Sequence, residues 1–389
     1  MHYRRVGDVP RKRHVVHRDS AGHRFAEELV GAEGFSDQSS LLYHRSSPSV
    51  LLEVAAIDDC RTPLEPNHPV SPLHLRTGDV PVGGDAVLGR HLLLGNDDVR
   101  ICVSAAVETS GLYRNAVGDE LVFVRDGTAV LESSFGTLAV AAGDYVVVPS
   151  GVTHRWVVDS DTPLAAFVLE CNGHVRPPRK FLSGSGQFLE GSPYCERDVR
   201  SPDGPLIAED GETDVVVRTR NGLTRHRYAH HPFDVVGWDG CLYPWALSIH
   251  DFEPIVGRLH QPPPVHQTFE APNAVVCSFV PRLFDFHPDA VKVPYHHANV
   301  DSDEVLFYAG GDFMSRAGSG IGVGSMTLHP SGFVHGPQPG SFEHSVGADR
   351  TDELAVMVDT FRPLLVTATA RSVAASDYLR SWVGTDEGG

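Results

Sequence analysis

Two blocks, Pro294-Tyr-His-His-Ala-Asn-Val-Asp-Ser-Asp-Glu304-Val-Leu-Phe-Tyr308 and Gly324-Ser-Met-Thr-Leu-His329-Pro-Ser-Gly-Phe-Val-His335-Gly-Pro337, decide the reading of this chain. In the first, six residues separate His297 from Glu304, which opens an apolar run with the composition of a buried strand. The second reads as a strand, a Pro/Gly turn and a histidine just beyond it. Two imidazoles and one carboxylate on neighbouring strands can hold one face of an octahedral metal and leave the other positions open. That donor set suits non-haem Fe(II) and its oxygen chemistry.

The spacing resembles the two signature motifs of the cupin fold, a small antiparallel β-barrel with metal-binding histidines and a glutamate inside. Gly324, Pro330, Gly332 and His335 carry the more specific half of that resemblance. An internal repeat extends it. Asn115 to Glu120 matches Asn299 to Glu304, and Gly143 to His154 matches Gly324 to His335, at equal intervals. The fold expected is therefore all-β: a bicupin of two antiparallel barrels with few short helices. Tyr113 stands at the position of His297 and Val148 at that of His329, while Glu120 and His154 persist. A Glu and a single His make a poor iron site, so the first barrel reads as structural and the second as the working one.

With 389 residues, 41% apolar, 28 prolines and 38 glycines, the chain suits turn-rich β architecture. Its net charge of −18 argues against a general basic field for nucleic acid or an anionic membrane. The basic N-terminal stretch has no apolar core after it, and no stretch approaches the length of a membrane span, so a cytoplasmic protein is expected. Cys60, Cys102, Cys171, Cys195, Cys241 and Cys277 are scattered singly and read as reduced thiols.

The expected organisation is a first barrel over residues 1–175 with a degenerate site, a connector over 176–240, and a second barrel with the metal site over 241–389. Residues 25–30, Phe-Ala-Glu-Glu-Leu-Val, suggest one or two helical turns, and residues 374–382 a short C-terminal helix capped by Ser376 or Asp377. Asp301 and Asp303 read as solvated loop carboxylates.

Taken together, the stretches at residues 232–240, 279–289, 294–299 and 328–337 make the chain similar to the homogentisate 1,2-dioxygenase family. That resemblance implies Fe(II)-dependent opening of the homogentisate ring by both atoms of O2, giving maleylacetoacetate in tyrosine and phenylalanine catabolism. It implies His297, Glu304 and His335 as iron ligands and His260 as the catalytic acid/base, with His266 the alternative. His329, Arg316, Phe313 and Tyr295 fall where substrate would bind. His296 competes with His297 for ligation, although adjacent strand residues face opposite ways. Where the family has Tyr and Lys near the substrate, this chain has Phe313 and Arg316, which leaves open another hydroxylated aromatic acid such as gentisate. A non-enzymatic binding bicupin is the third reading. The family further implies a homo-oligomer, a trimer or hexamer, with a small aromatic acid and O2 as its small-molecule partners.

Overall fold

Glu120–Asp126 and Asp303–Gly310 are the strands around which the two halves assemble. Side chains alternate across a strand. Leu306 and Tyr308 therefore join one apolar cluster with Phe313, while Val305 and Phe307 join the large core shared with the other half. The computed structural model describes residues 1–57, 62–159, 161–316 and 318–383.

Two sheets form the first half. The nine-stranded one runs, in spatial order, Val199–Arg200, Trp245–Ser248, Asp144–Val148, Glu120–Asp126, Leu164–Cys171, Val99–Ala106, His91–Gly95, Leu365–Val366 and Glu65–Pro66. Facing it is a seven-stranded sheet that begins with Gly136–Ala141, Thr128–Ser133, His154–Val158 and Tyr113–Asn115. The hairpin Thr213–Thr219/Gly222–Tyr228 and the edge strand Leu51–Ala56 extend it. The second half is built on a six-stranded sheet ordered Gln267–Ala271, Ala274–Phe279, Leu354–Thr360, Asp303–Gly310, Ser325–His329 and Leu73–Arg76. Aromatic rings join the two halves: Phe307 stacks on Phe167 with centroids 5.3 Å apart, and Phe269 meets Tyr145 edge-on at 5.1 Å.

The boundaries drawn from sequence cut across these sheets. Trp245–Ser248 pairs with Asp144–Val147 of the first half, Leu365–Val366 pairs with Leu94–Gly95, and Leu73–Arg76 completes the second half beside Ser325–Leu328. The stretch 176–240 is more than a connector, because it supplies the hairpin above and the strand Val235–Gly240 of a separate four-stranded sheet.

Two local expectations are corrected. Ala26–Gly31 is a strand paired with Ser39–His44, not a helix. Six residues cannot nucleate a helix alone, whereas the strand places Glu28 beside His44. Tyr378–Trp382 is a 3-10 turn, and neither Ser376 nor Asp377 caps it as expected: Asp377 holds the N-cap position without a side-chain bond. Its tertiary bonds, described below, hold it instead. Cys102, Cys171, Cys195, Cys241 and Cys277 are free thiols, and Cys60 lies outside the described residues. No helix among the described residues is long and apolar enough to cross a membrane.

Candidate metal centre

The loop ahead of Glu304 is shaped by its own polar side chains. Asp303 is buried; its Oδ1 accepts from Ser331 N at 2.9 Å and its Oδ2 from Leu364 N at 2.7 Å. It therefore organises the turn, contrary to the solvated role expected of it, while Asp301 is exposed as expected. The repeat held the signal, since Asp119 in the first half accepts from Ser150 N at 2.8 Å in the same way. Glu304 then enters the ladder opposite His329 on one side and Asp359 on the other.

His297 and His335 are joined main chain to main chain, each N–H donating to the other's carbonyl at 2.8 Å. The Nδ1–H of His297 points to the carbonyl of Tyr295 at 3.1 Å, and that of His335 to Phe333 at 3.0 Å. Because a carbonyl only accepts, both rings carry a proton on Nδ1 and turn Nε2 inward. Those Nε2 atoms lie 3.5 Å from Glu304 Oε2 and 3.1 Å from Glu304 Oε1. One ligand atom from each of the three residues lies within 4.8 Å of the others. Two imidazole nitrogens and a carboxylate oxygen so oriented fit a divalent metal ion.

Burial alone would push the Glu304 carboxyl up. Hydrogen bonds from His297, His329 and His335 outweigh it and hold the group well below the usual carboxylate range, hence ionised. The Glu304 bond raises His297, and burial pushes His329 down to about 4, so His329 is neutral at pH 7. Burial, with the Glu304 carboxylate next in weight, lifts Asp359 to about 7.

The remaining sequence candidates fall as follows. His296 is exposed and packs over Gly336, where an added Cβ would come within 2.5 Å of His296 Nδ1, so only His297 faces Glu304. His260 is exposed beside the site: its ring meets Tyr295 edge-on at 5.4 Å, and Tyr295 meets His297 at 6.1 Å. His266 instead packs on Phe279 at 4.7 Å, and burial depresses it to about 3. Phe313 sits edge-on to Tyr308 at 4.9 Å within an apolar cluster. Arg316 is buried, and its Nη1 donates to the carbonyl of Gly336 at 2.6 Å. His329 is fully buried, stacked on His335 at 4.0 Å, with Nδ1 3.0 Å from Glu304 Oε1. Sequence reasoning missed Tyr378 and Trp382. The hydroxyl of Tyr378 lies 2.9 Å from His329 Nε2, and Trp382 Nε1–H donates to the carbonyl of Gly336 at 3.2 Å. Their i, i+4 aromatic spacing was the available signal.

The first half repeats the frame without the site. Glu120 pairs with Val148 and Glu170 where Glu304 pairs with His329 and Asp359. His154 Nδ1 donates to its i−2 carbonyl at 3.1 Å, as His335 does, and its Nε2 has no partner among the described residues. A guanidinium provides the cation there: Arg90 Nη2 reaches Glu120 at 2.9 Å and Arg90 Nη1 reaches Glu170 at 3.1 Å.

A sequence profile for the N-terminal region of homogentisate 1,2-dioxygenase matches residues 98–249. A candidate dioxygenase from Saccharolobus solfataricus is 39% identical over 98% of this chain and 98% of its own. The chain belongs to the homogentisate 1,2-dioxygenase family. The homogentisate 1,2-dioxygenase of Emericella nidulans is 27% identical over 68% of this chain and 62% of that enzyme, so the chain spans less than two thirds of that relative's length. Among solved structures, a cupin 2 conserved barrel domain protein from Leptotrichia buccalis aligns over 75% of this chain and 97% of its own, with a TM-score of 0.35 and 9% identity.

Proposed function

We propose that this family member is a ring-cleaving dioxygenase that opens homogentisate with both atoms of O2 to give maleylacetoacetate, in tyrosine and phenylalanine catabolism, with Fe(II) held by His297, Glu304 and His335. The observation that carries the reading is the convergence of two imidazole Nε2 atoms and an ionised carboxylate. Bound Fe(II) would supply open coordination positions and electron exchange with both O2 and an electron-rich phenolate.

The chain's own residues bind, orient and move protons. Two neutral imidazoles and one carboxylate cancel one of the two ionic charges, which leaves a net positive charge to attract an anionic substrate. His260 Nδ1 faces Asp285 at 3.6 Å, so its Nε2 is available to take the phenolic proton and return it later. Tyr295 forms the wall between that base and His297. His329 has both nitrogens engaged, which suits pocket lining rather than proton transfer. Arg316 already serves the Gly336 carbonyl, and Phe313 offers no hydroxyl. Those two positions favour, as the second reading, another hydroxylated aromatic acid such as gentisate.

Oxygen uptake by anaerobically Fe(II)-loaded protein tests the proposal, with homogentisate and gentisate in parallel. Stoichiometric uptake with homogentisate, lost in His335→Ala, is expected. Turnover of gentisate alone would move the substrate, and silence with every aromatic acid would leave a binding bicupin. We further propose a cytoplasmic homo-oligomer, a trimer or hexamer. Phe286, Val300, Val334 and Val346, all well exposed in this half, support association, which sedimentation velocity would measure.

A further inference from the structure

The turn Tyr378–Trp382 touches the supports of two of the three ligand residues. His329 is 0% exposed, its Nδ1 lies 3.0 Å from Glu304 Oε1, and its Nε2 lies 2.9 Å from the Tyr378 hydroxyl. An ionised carboxylate only accepts, so Nδ1–H donates to it; the opposite nitrogen of a neutral ring is then an acceptor, and the Tyr378 O–H donates. Partners at both ends fix the ring: turning it over would set carbon against each of them. Glu304 Oε1 receives the His329 bond and lies 3.1 Å from His335 Nε2, so the direction left on that oxygen depends on where His329 stands. Trp382, whose ring is 5.0 Å from that of Tyr378, shares the Gly336 carbonyl with Arg316 and thereby grips the peptide that follows His335.

We propose that Tyr378 is a positioning residue of the metal centre: by donating its hydroxyl to His329 it holds His329 on Glu304, and so sets the orientation in which the carboxylate meets a metal ion. The proposal rests on reading His297, Glu304 and His335 as ligands. It assigns the C-terminal turn a part in building the site. The first half agrees by contrast, because Val148 replaces the histidine there and Glu120 is anchored by Arg90.

The test is Co2+ affinity of the full-length protein, measured by chelator competition and by visible absorption of the bound ion, in a double-mutant cycle of Tyr378→Phe and His329→Val. Valine is chosen because the matching ladder position of the first half carries it. Metal-free variants are first matched to the unaltered protein by circular dichroism; if phenylalanine disturbs the turn, Tyr378→Leu, which likewise lacks a donor, takes its place in the same cycle. Tyr378→Phe is expected to raise the Co2+ dissociation constant about tenfold and to change the absorption band. In the His329→Val background it is expected to add nothing, because the bond it removes is already gone. Trp382→Phe, which removes the bond to the Gly336 carbonyl and no hydrogen bond of His329, should keep the same factor in both backgrounds. An unchanged constant in Tyr378→Phe, or an equal loss in both backgrounds, overturns the proposal. Should the unaltered protein bind Co2+ no better than His335→Ala, the ligand reading fails and takes the proposal with it.

Discussion

Arg90 carries, in the first barrel, the charge that a divalent ion would carry in the second. Its guanidinium is 4% exposed and bridges Glu120 and Glu170, which face each other in the ladder. Removing it strands buried carboxylates, of which Glu170 keeps, among the described residues, only Arg100 and Arg218. Arg90→Met should therefore cost about 3–5 kcal/mol in urea unfolding, while Co2+ affinity of the second barrel is unchanged. A loss of metal binding in that variant would contradict the division of labour between the barrels. The sequence could show that the first site was degenerate, because Tyr113 and Val148 replace two histidines. It could not show the replacement cation, since Arg90 sits 30 residues before Glu120 and no spacing rule links them. That His260 meets Tyr295 while His266 packs on Phe279 likewise depends on which face a loop presents, which spacing alone does not give.

At the scale of elements, His44 ties three segments together. On Ser39–His44 its imidazole meets Asp234 at 2.5 Å and, from the neighbouring strand Ala26–Gly31, Glu28 at 2.9 Å. Burial opposes the charge, but the bonds to Asp234 and Glu28 win and raise its pKa from 6.5 to about 9. A raised histidine contributes stability that is complete below pH 6.5 and is lost as pH rises through about 9. Urea unfolding of the unaltered protein should weaken over that window by at most about 3 kcal/mol, and His44→Gln should flatten the slope. Parallel pH profiles for the two would refute the assignment. Neither Glu28 nor the strand it rides on was legible, because Phe-Ala-Glu-Glu-Leu-Val has helical composition and only pairing with residues 39–44 makes it extended. The two metal-site strands and their turns were legible, since alternation, the Pro-Ser-Gly turn and the repeat all agreed.

Across the whole molecule the barrels exchange strands. Leu73–Arg76 belongs to the sheet of the metal site, where its main chain is further clasped by residues 373–375. Trp245–Ser248 and Leu365–Val366 belong to the other sheet. Fragments 1–240 and 241–389 should each lack a cooperative thermal transition and recover one when mixed; independent two-state melting of either would contradict this account. Sequence spacing placed the repeat correctly, but a two-residue strand such as Leu365–Val366 carries too little pattern to reveal its partner.

The most direct measurement of the central claim is the isotopic mass of the ring-opened product formed from homogentisate under 18O2 by the Fe(II)-loaded protein. Incorporation of both labelled atoms, abolished in Glu304→Gln, is the predicted result. A product carrying one labelled atom or none, or unchanged turnover in Glu304→Gln, would contradict a dioxygenase built on this triad.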